Sequence, residues 1–134
     1  MEINATTIET SELTYGCLTA GDSGPLALCL HGFPDTAHGW RFLLPALADA
    51  GYRAVAPFMR GYAPTSIPAD GQYHVATLAR DATALHEALG GDSDAVIIGH
   101  DWGALATYGA AAIARLATSA VLGSLVETTP TPKR

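Results

Sequence analysis

The sequence predicts an α/β domain, an antiparallel hairpin leading into a mostly parallel sheet with helices on both faces. Three observations predict it. Short apolar runs alternate along the chain with segments of helical periodicity, the pattern of right-handed β-α-β crossovers. The runs are continuously apolar rather than alternating, as expected of strands covered on both sides. Two Gly-containing loops, 31–34 and 99–103, directly follow such runs, at the carboxyl ends of strands, where open α/β sheets bind ligands.

Taken in order, residues 2–9 and 13–20 are Thr-rich and partly alternating, with Ser11-Glu12 between them, and read as the hairpin. Gly21-Asp22-Ser23-Gly24-Pro25 is a turn cluster. Leu26 to Leu30 is the first buried strand, and the loop from His31 to Ala37 follows it. Trp40, Leu43, Leu44 and Leu47 predict a helix over 38–50 that stops at Gly51, with Pro45 in its first turns. Arg53 to Ala56 is the next strand, followed by a Pro-containing loop over 57–71. Val75 to Leu89 is an amphipathic helix: Leu78, Ala82, Leu85 and Leu89 face inward, Arg80, Asp81 and Glu87 outward, and Gly90-Gly91 ends it. Ala95 to Ile98 is a third buried strand, running into 99–103 and an Ala-rich helix. Ala120 to Val126 has the spacing of one more strand, with a longer helix through Arg115-Leu116-Ala117 as the alternative.

Composition narrows the function classes. The chain has 134 residues, room for one small domain, and is 49% hydrophobic with 15% charged residues, which argues against disorder. Its net charge is −6 and its only lysine is Lys133, so no basic patch exists for nucleic acid. Cys17 and Cys29 fall in expected strands, outside any CxxC pair or metal-ligand spacing, and read as buried free thiols of a reducing compartment. Met1 to Thr7 lacks the basic and apolar regions of a signal peptide, so a cytoplasmic location is expected. Between Trp102 and Val126 the only charge is Arg115; a membrane span there would bury that charge near its centre, so a buried helix and strand are expected instead.

Residues 99–103 have the form small-x-nucleophile-x-small between a strand and a helix, a nucleophile elbow. Its centre sits on a sharp turn, so the positions two residues away must lack bulk, a demand that Gly99 and Gly103 meet. The centre is Asp101, with His100 and Trp102 beside it; Asp101 also fits the N-cap of the following helix. An elbow works with backbone N–H donors from the residue after the nucleophile and from the loop after an earlier strand. Those are Trp102 and, in His31-Gly32-Phe33-Pro34, Phe33. Pro34 has no N–H to offer, and Phe33-Pro34 is a candidate cis peptide. A carboxylate attacking a carbonyl would give an anhydride, whereas attack on an sp³ carbon gives an alkyl ester that water can cleave. Asp101 therefore points to an apolar small molecule with an electrophilic sp³ carbon, an epoxide or an alkyl halide.

His31-Gly32-Phe33-Pro34, Met59-Arg60-Gly61-Tyr62 and Gly99-His100-Asp101-Trp102-Gly103, in that order, resemble the epoxide hydrolase branch of the α/β-hydrolases, beside the haloalkane dehalogenases, over residues 12–126. The resemblance implies the N-terminal part of an α/β-hydrolase fold, with Asp101 as nucleophile, Phe33 and Trp102 as oxyanion donors, and no cofactor or metal. His31 and His100 belong to the motifs as supporting groups, with Gly32, Pro34, Gly99 and Gly103. Dehalogenases similar to this chain place a donor side chain where Phe33 stands, and fluoroacetate dehalogenases carry Arg where Trp102 stands, which favours epoxide over halide. The family's epoxide-binding tyrosines belong to a lid, so Tyr52, Tyr62, Tyr73 and Tyr108 inherit no role. Phe58 replaces the family's Asp before Met-Arg-Gly, which leaves the hydrogen bonding of loop 57–62 open.

The family's His base and its acid partner follow the lid. His38, His74 and His86 read instead as surface groups. Residues 1–134 are thus expected to be an incomplete core domain, truncated before the lid, with 127–134 leading toward it. Such a chain would need the missing C-terminal half or a self-associating partner to cover its sheet edge. It would be inactive alone, and a non-catalytic truncated relative is the alternative.

Overall fold

A computed structural model describes residues 1–113 and the backbone of 120–124. Six strands form one sheet: β1 (Asn4–Glu9), β2 (Thr14–Ala20), β3 (Leu26–Leu30), β4 (Arg53–Pro57), β5 (Val96–His100) and β6 (Ala120–Ser124), in the order β1-β2-β4-β3-β5-β6. β1 and β2 are the expected hairpin, and β2 runs antiparallel to β4. The β4-β3, β3-β5 and β5-β6 pairs are parallel. β6 settles the alternatives left open for this region in favour of a strand; 114–119 and 125–134, including the expected tail, lie outside the described residues. Among the described residues no helix is long and apolar enough to cross a membrane.

Three helices, α1 (Leu43–Asp49), α2 (Val75–Ala88) and α3 (Trp102–Ile113), cover the sheet. Because side chains alternate across a strand, each strand feeds two cores. On one face Leu26, Leu28 and Leu30 of β3 join Val55, Ile97 and, from the helices, Leu78, Leu85 and Ala106. On the other, Cys29 joins Ala54, Ala56, Leu44 and Ala48. Cys17 and Cys29 are buried free thiols, as expected, and burial pushes both up to about 12. They are therefore poor nucleophiles near neutrality.

The expected helix over 38–50 is two elements, a 3-10 turn Ala37–Trp40 and α1. Pro45 is the reason. A continuous helix would require its missing N–H and would drive its ring against the carbonyl of Arg41. Starting at Leu43 puts Pro45 in the first turn, where no N–H is needed.

Two side chains expected at the surface of α2 are buried. Asp81 is 5% exposed and His86 7%. Asp81 pairs with Arg60 through two hydrogen bonds, Nε to Oδ2 at 2.8 Å and Nη2 to Oδ1 at 3.0 Å. Arg60 also reaches Asp70 at 3.1 Å and the carbonyl of Gln72 at 3.2 Å, with Glu12 3.7 Å away. One guanidinium thus ties the loop after β4 to α2 and to the β1-β2 turn. His86, in the last turn of α2, lies under the chain at Gly91, where a Cβ would come 2.4 Å from its ring. Its Nε2 is 3.4 Å from the carbonyl of Asp92.

Loop 57–62 satisfies its backbone without the carboxylate that Phe58 replaces. The Phe58 N–H donates to the Gly16 carbonyl at 2.8 Å, and the Thr65 hydroxyl donates to the Phe58 carbonyl. The Phe58 ring packs edge-on against exposed His38, with centroids 5.4 Å apart.

Candidate active site

The loops after β3, β4 and β5 meet at the carboxyl edge of the sheet and bring the three sequence motifs together. β5 continues through Gly99 and His100, two residues further than expected, and the chain then turns at Asp101 into α3. Asp101 has φ 55°, the only positive value among the described non-glycine residues. Asp tolerates this region better than most side chains. Its backbone carbonyl accepts the first helical N–H groups, from Ala104 at 3.0 Å and Leu105 at 3.3 Å.

The small residues are where the turn demands them. A Cβ on Gly103 would lie 2.0 Å from the Leu30 carbonyl oxygen, and one on Gly99 2.3 Å from the Gly103 oxygen. A Cβ on Gly32 would lie 2.4 Å from the Cβ of Asp101. The motif glycines therefore set how closely β3 and β5 bring their loops together. Gly103→Ala is expected to destabilise the chain by about 2–3 kcal/mol, because the obstacle is backbone and cannot rotate away. Urea unfolding followed by circular dichroism checks this, and a midpoint unchanged from wild type would refute the close approach.

The 31–34 loop reaches Asp101 through its backbone. The Phe33 N–H donates to Oδ2 at 3.0 Å, across 68 residues of sequence. That bond first, then one from the Trp102 N–H, holds the Asp101 carboxyl below the usual carboxylate range; the charge of His100 adds to this and desolvation opposes it. Asp101 is therefore ionised at neutral pH, with two backbone donors on a half-buried carboxylate. The Phe33-Pro34 peptide is cis, as its sequence suggested.

His31 is 1% exposed and half-buried His100 ends β5. A cavity of about 240 Å³ is lined by Phe33 and Trp102, whose N–H groups bond Asp101, and by Met59, Tyr62, Tyr73 and Leu78. Its walls are mainly apolar, suited to a small apolar molecule. Tyr62 and Tyr73 were given no role from sequence. Tyr62 packs edge-on against His31, with centroids 4.6 Å apart, and its phenol is pushed up first by burial and then by the charge of Asp101. The only sequence signal for it was its place in Met-Arg-Gly-Tyr; Tyr73 had none. Among the described residues no group of three or more His, Cys, Asp or Glu is placed to hold a metal ion.

The chain is similar in sequence and fold to known proteins. An epoxide hydrolase from Caballeronia sordidicola is 47% identical over 95 residues, covering 70% of this chain and 29% of its own length. Epoxide hydrolase A from Mycobacterium tuberculosis is 40% identical over 105 residues, covering 77% of this chain and 32% of its own length. The chain thus spans about a third of the length of these curated relatives. Among solved structures, epoxide hydrolase A from Mycobacterium thermoresistibile superposes with a TM-score of 0.82 at 39% identity, over 91% of this chain and 39% of that one. An epoxide hydrolase from Vigna radiata gives 0.82 at 34% identity, over 99% of this chain and 43% of that one. The family model for the alpha/beta hydrolase fold matches residues 25–123, which contain all three motifs and four of the six strands in whole or part, and the chain belongs to that family.

Proposed function

We propose that this chain carries the nucleophile half of an epoxide hydrolase active site, with Asp101 as nucleophile and the N–H groups of Phe33 and Trp102 as oxyanion donors. The observation that carries the reading is the Phe33 N–H at 3.0 Å from Oδ2 of an Asp held at φ 55°. With Oδ2 held by the Phe33 N–H, the second carboxylate oxygen is the one that attacks. It forms a bond to a ring carbon of the epoxide, the carbon–oxygen bond of the ring breaks, and the ring oxygen leaves with the electron pair and takes a proton from water. The product is an alkyl ester on Asp101. The preference of a carboxylate for an sp³ centre and the apolar cavity support a small electrophile of this kind, and the names of the relatives support an epoxide among them.

Cleavage of the ester needs water activated by a base. His31 has both ring nitrogens engaged by backbone and is unsuited to that role. No other described residue is assigned to it, so on this chain alone the ester is expected to persist. Incubation with an aryl epoxide should add one epoxide mass to the intact protein, and peptide mapping should assign it to Asp101. Absence of an adduct, or labelling at Cys17 or Cys29 instead, would refute the proposal. Alkylation of Asp101 by an alkyl bromide but not by an epoxide would move the reading to the dehalogenase alternative.

A further inference from the structure

We infer that His31 is a positioning residue for this site: its Nδ1–H orients and polarises the Gly32-Phe33 peptide, whose N–H grips Asp101, and the Met59 N–H fixes the ring tautomer that makes this so. The inference rests on the reading of Asp101 as the nucleophile.

The tautomer follows from partners that have no choice. His31 Nε2 lies 3.0 Å from the backbone nitrogen of Met59, which can only donate, so Nε2 is the bare acceptor. Nδ1 lies 2.9 Å from the carbonyl oxygen of Gly32, which can only accept, so Nδ1 carries the proton. The ring is buried, and burial lowers its pKa, in keeping with a neutral imidazole. The edge-on Tyr62 ring packs against it.

Gly32 contributes the carbonyl and Phe33 the N–H of one peptide group. That carbonyl accepts two hydrogen bonds, from His31 Nδ1 and from the Asp35 N–H at 3.1 Å. The N–H of the same peptide donates to Asp101 Oδ2 at 3.0 Å. Donors on the oxygen end of a peptide pull electron density from its nitrogen and strengthen the bond its N–H makes. A hydrogen-bonded chain therefore runs from Met59 through the His31 ring and one peptide plane to the carboxylate.

Such a chain should act on one half of the chemistry more than the other. When the carboxylate alkylates, negative charge leaves the oxygens that the donors hold. When a nucleophile attacks the resulting ester carbonyl, charge builds on the oxygen gripped by Phe33, and a polarised donor stabilises it. A purely structural histidine would slow both halves together.

The test uses hydroxylamine to cleave the Asp101 ester, which removes the need for an internal base. Its nitrogen bonds to the carbonyl carbon, the alkyl–oxygen group leaves as the alcohol with a proton from the amine, and a hydroxamate remains on Asp101. In His31→Gln the amide oxygen can take the Nε2 position and accept from Met59, while the donor to Gly32 is lost. In His31→Asn the amide nitrogen takes the Nδ1 position and keeps that donor. His31→Gln should cleave its ester about tenfold more slowly while alkylating within about threefold of wild type, and His31→Asn should cleave near the wild-type rate. Nitrogen-15 spectra of the wild-type chain should show a proton on Nδ1 and none on Nε2 near neutral pH, a result independent of whether either variant folds. A proton on Nε2, equal slowing of both steps, or unchanged cleavage in His31→Gln would overturn the inference while leaving Asp101 as nucleophile. Failure of the wild type to form any ester would instead remove the nucleophile reading, and this catalytic role with it.

Discussion

Asp101→Asn is expected to abolish adduct formation while leaving the fold in place. The amide is neutral, and its oxygen is a far weaker nucleophile than a carboxylate oxygen. Loss of a nucleophile alone costs on the order of 10⁴-fold or more in comparable enzymes, which puts alkylation below detection in an overnight incubation. Folding should survive for two reasons. Asn adopts positive φ as readily as Asp does, so the turn at φ 55° remains available. The amide oxygen can still accept the Phe33 N–H, although the charge-assisted part of that bond is lost. Intact mass after epoxide treatment, with a thermal melt of the same sample, checks both halves. An adduct of wild-type yield on a folded Asp101→Asn chain would move the chemistry to another residue.

Asp81→Ala is expected to destabilise the chain by about 3 kcal/mol, the low end of what breaking a buried ion pair costs. The Arg60 side chain is 1% exposed, and Asp81 supplies two of its hydrogen bonds. Asp70 and Glu12 remain nearby, but their side chains are 47% and 29% exposed and offset only part of the loss. For a chain of this size the melting temperature should fall by roughly 10 °C. Replacing both partners, Arg60→Met with Asp81→Leu, removes the stranded charge and should recover most of the stability, since well-packed apolar pairs often match a buried ion pair. A double variant as unstable as Asp81→Ala would mean that the loop after β4 depends on the charges themselves. Because Arg60 stands between Met59 and Tyr62, the same melts should be paired with the alkylation rate. Loosening of this loop moves the cavity wall as well as the melting temperature.

These expectations divide along the line between what periodicity and steric need can report and what they cannot. The strands were legible because residues 26–30, 53–56 and 95–98 are short, mainly apolar runs set off by Gly, Pro or charged residues. Their order was not, because buried strands carry no label saying which neighbour each will take; that β3 lies between β4 and β5 comes from the structure. The turn at Asp101 was legible from Gly99 and Gly103, whose lack of a Cβ is what the crowding there requires. Asp81 and His86 were misplaced because a polar residue on an amphipathic helix is assigned outward by default. The partner that draws Asp81 inward arrives from a loop with no periodicity. The broken helix at 38–50 was a question of register: Pro45 was noticed, but its position relative to the first turn depended on where the helix began. Tyr62 was read through its motif alone, and its contact with His31 joins positions 31 residues apart.

The 68-residue separation between Phe33 and Asp101 has a consequence for how the protein comes into being. The β1-β2 hairpin closes a short loop and can form early, but β3 gains its second neighbour only once β5 has been made. Pairings this distant in sequence are slow, because the chain entropy of closing the loop is lost before the contacts compensate for it. During synthesis the Asp101 carboxylate therefore emerges into an ordinary aqueous setting, without the Phe33 donor. That setting is acquired only when β5 docks beside β3, so on the proposed reading alkylation at Asp101 reports the pairing of these two strands.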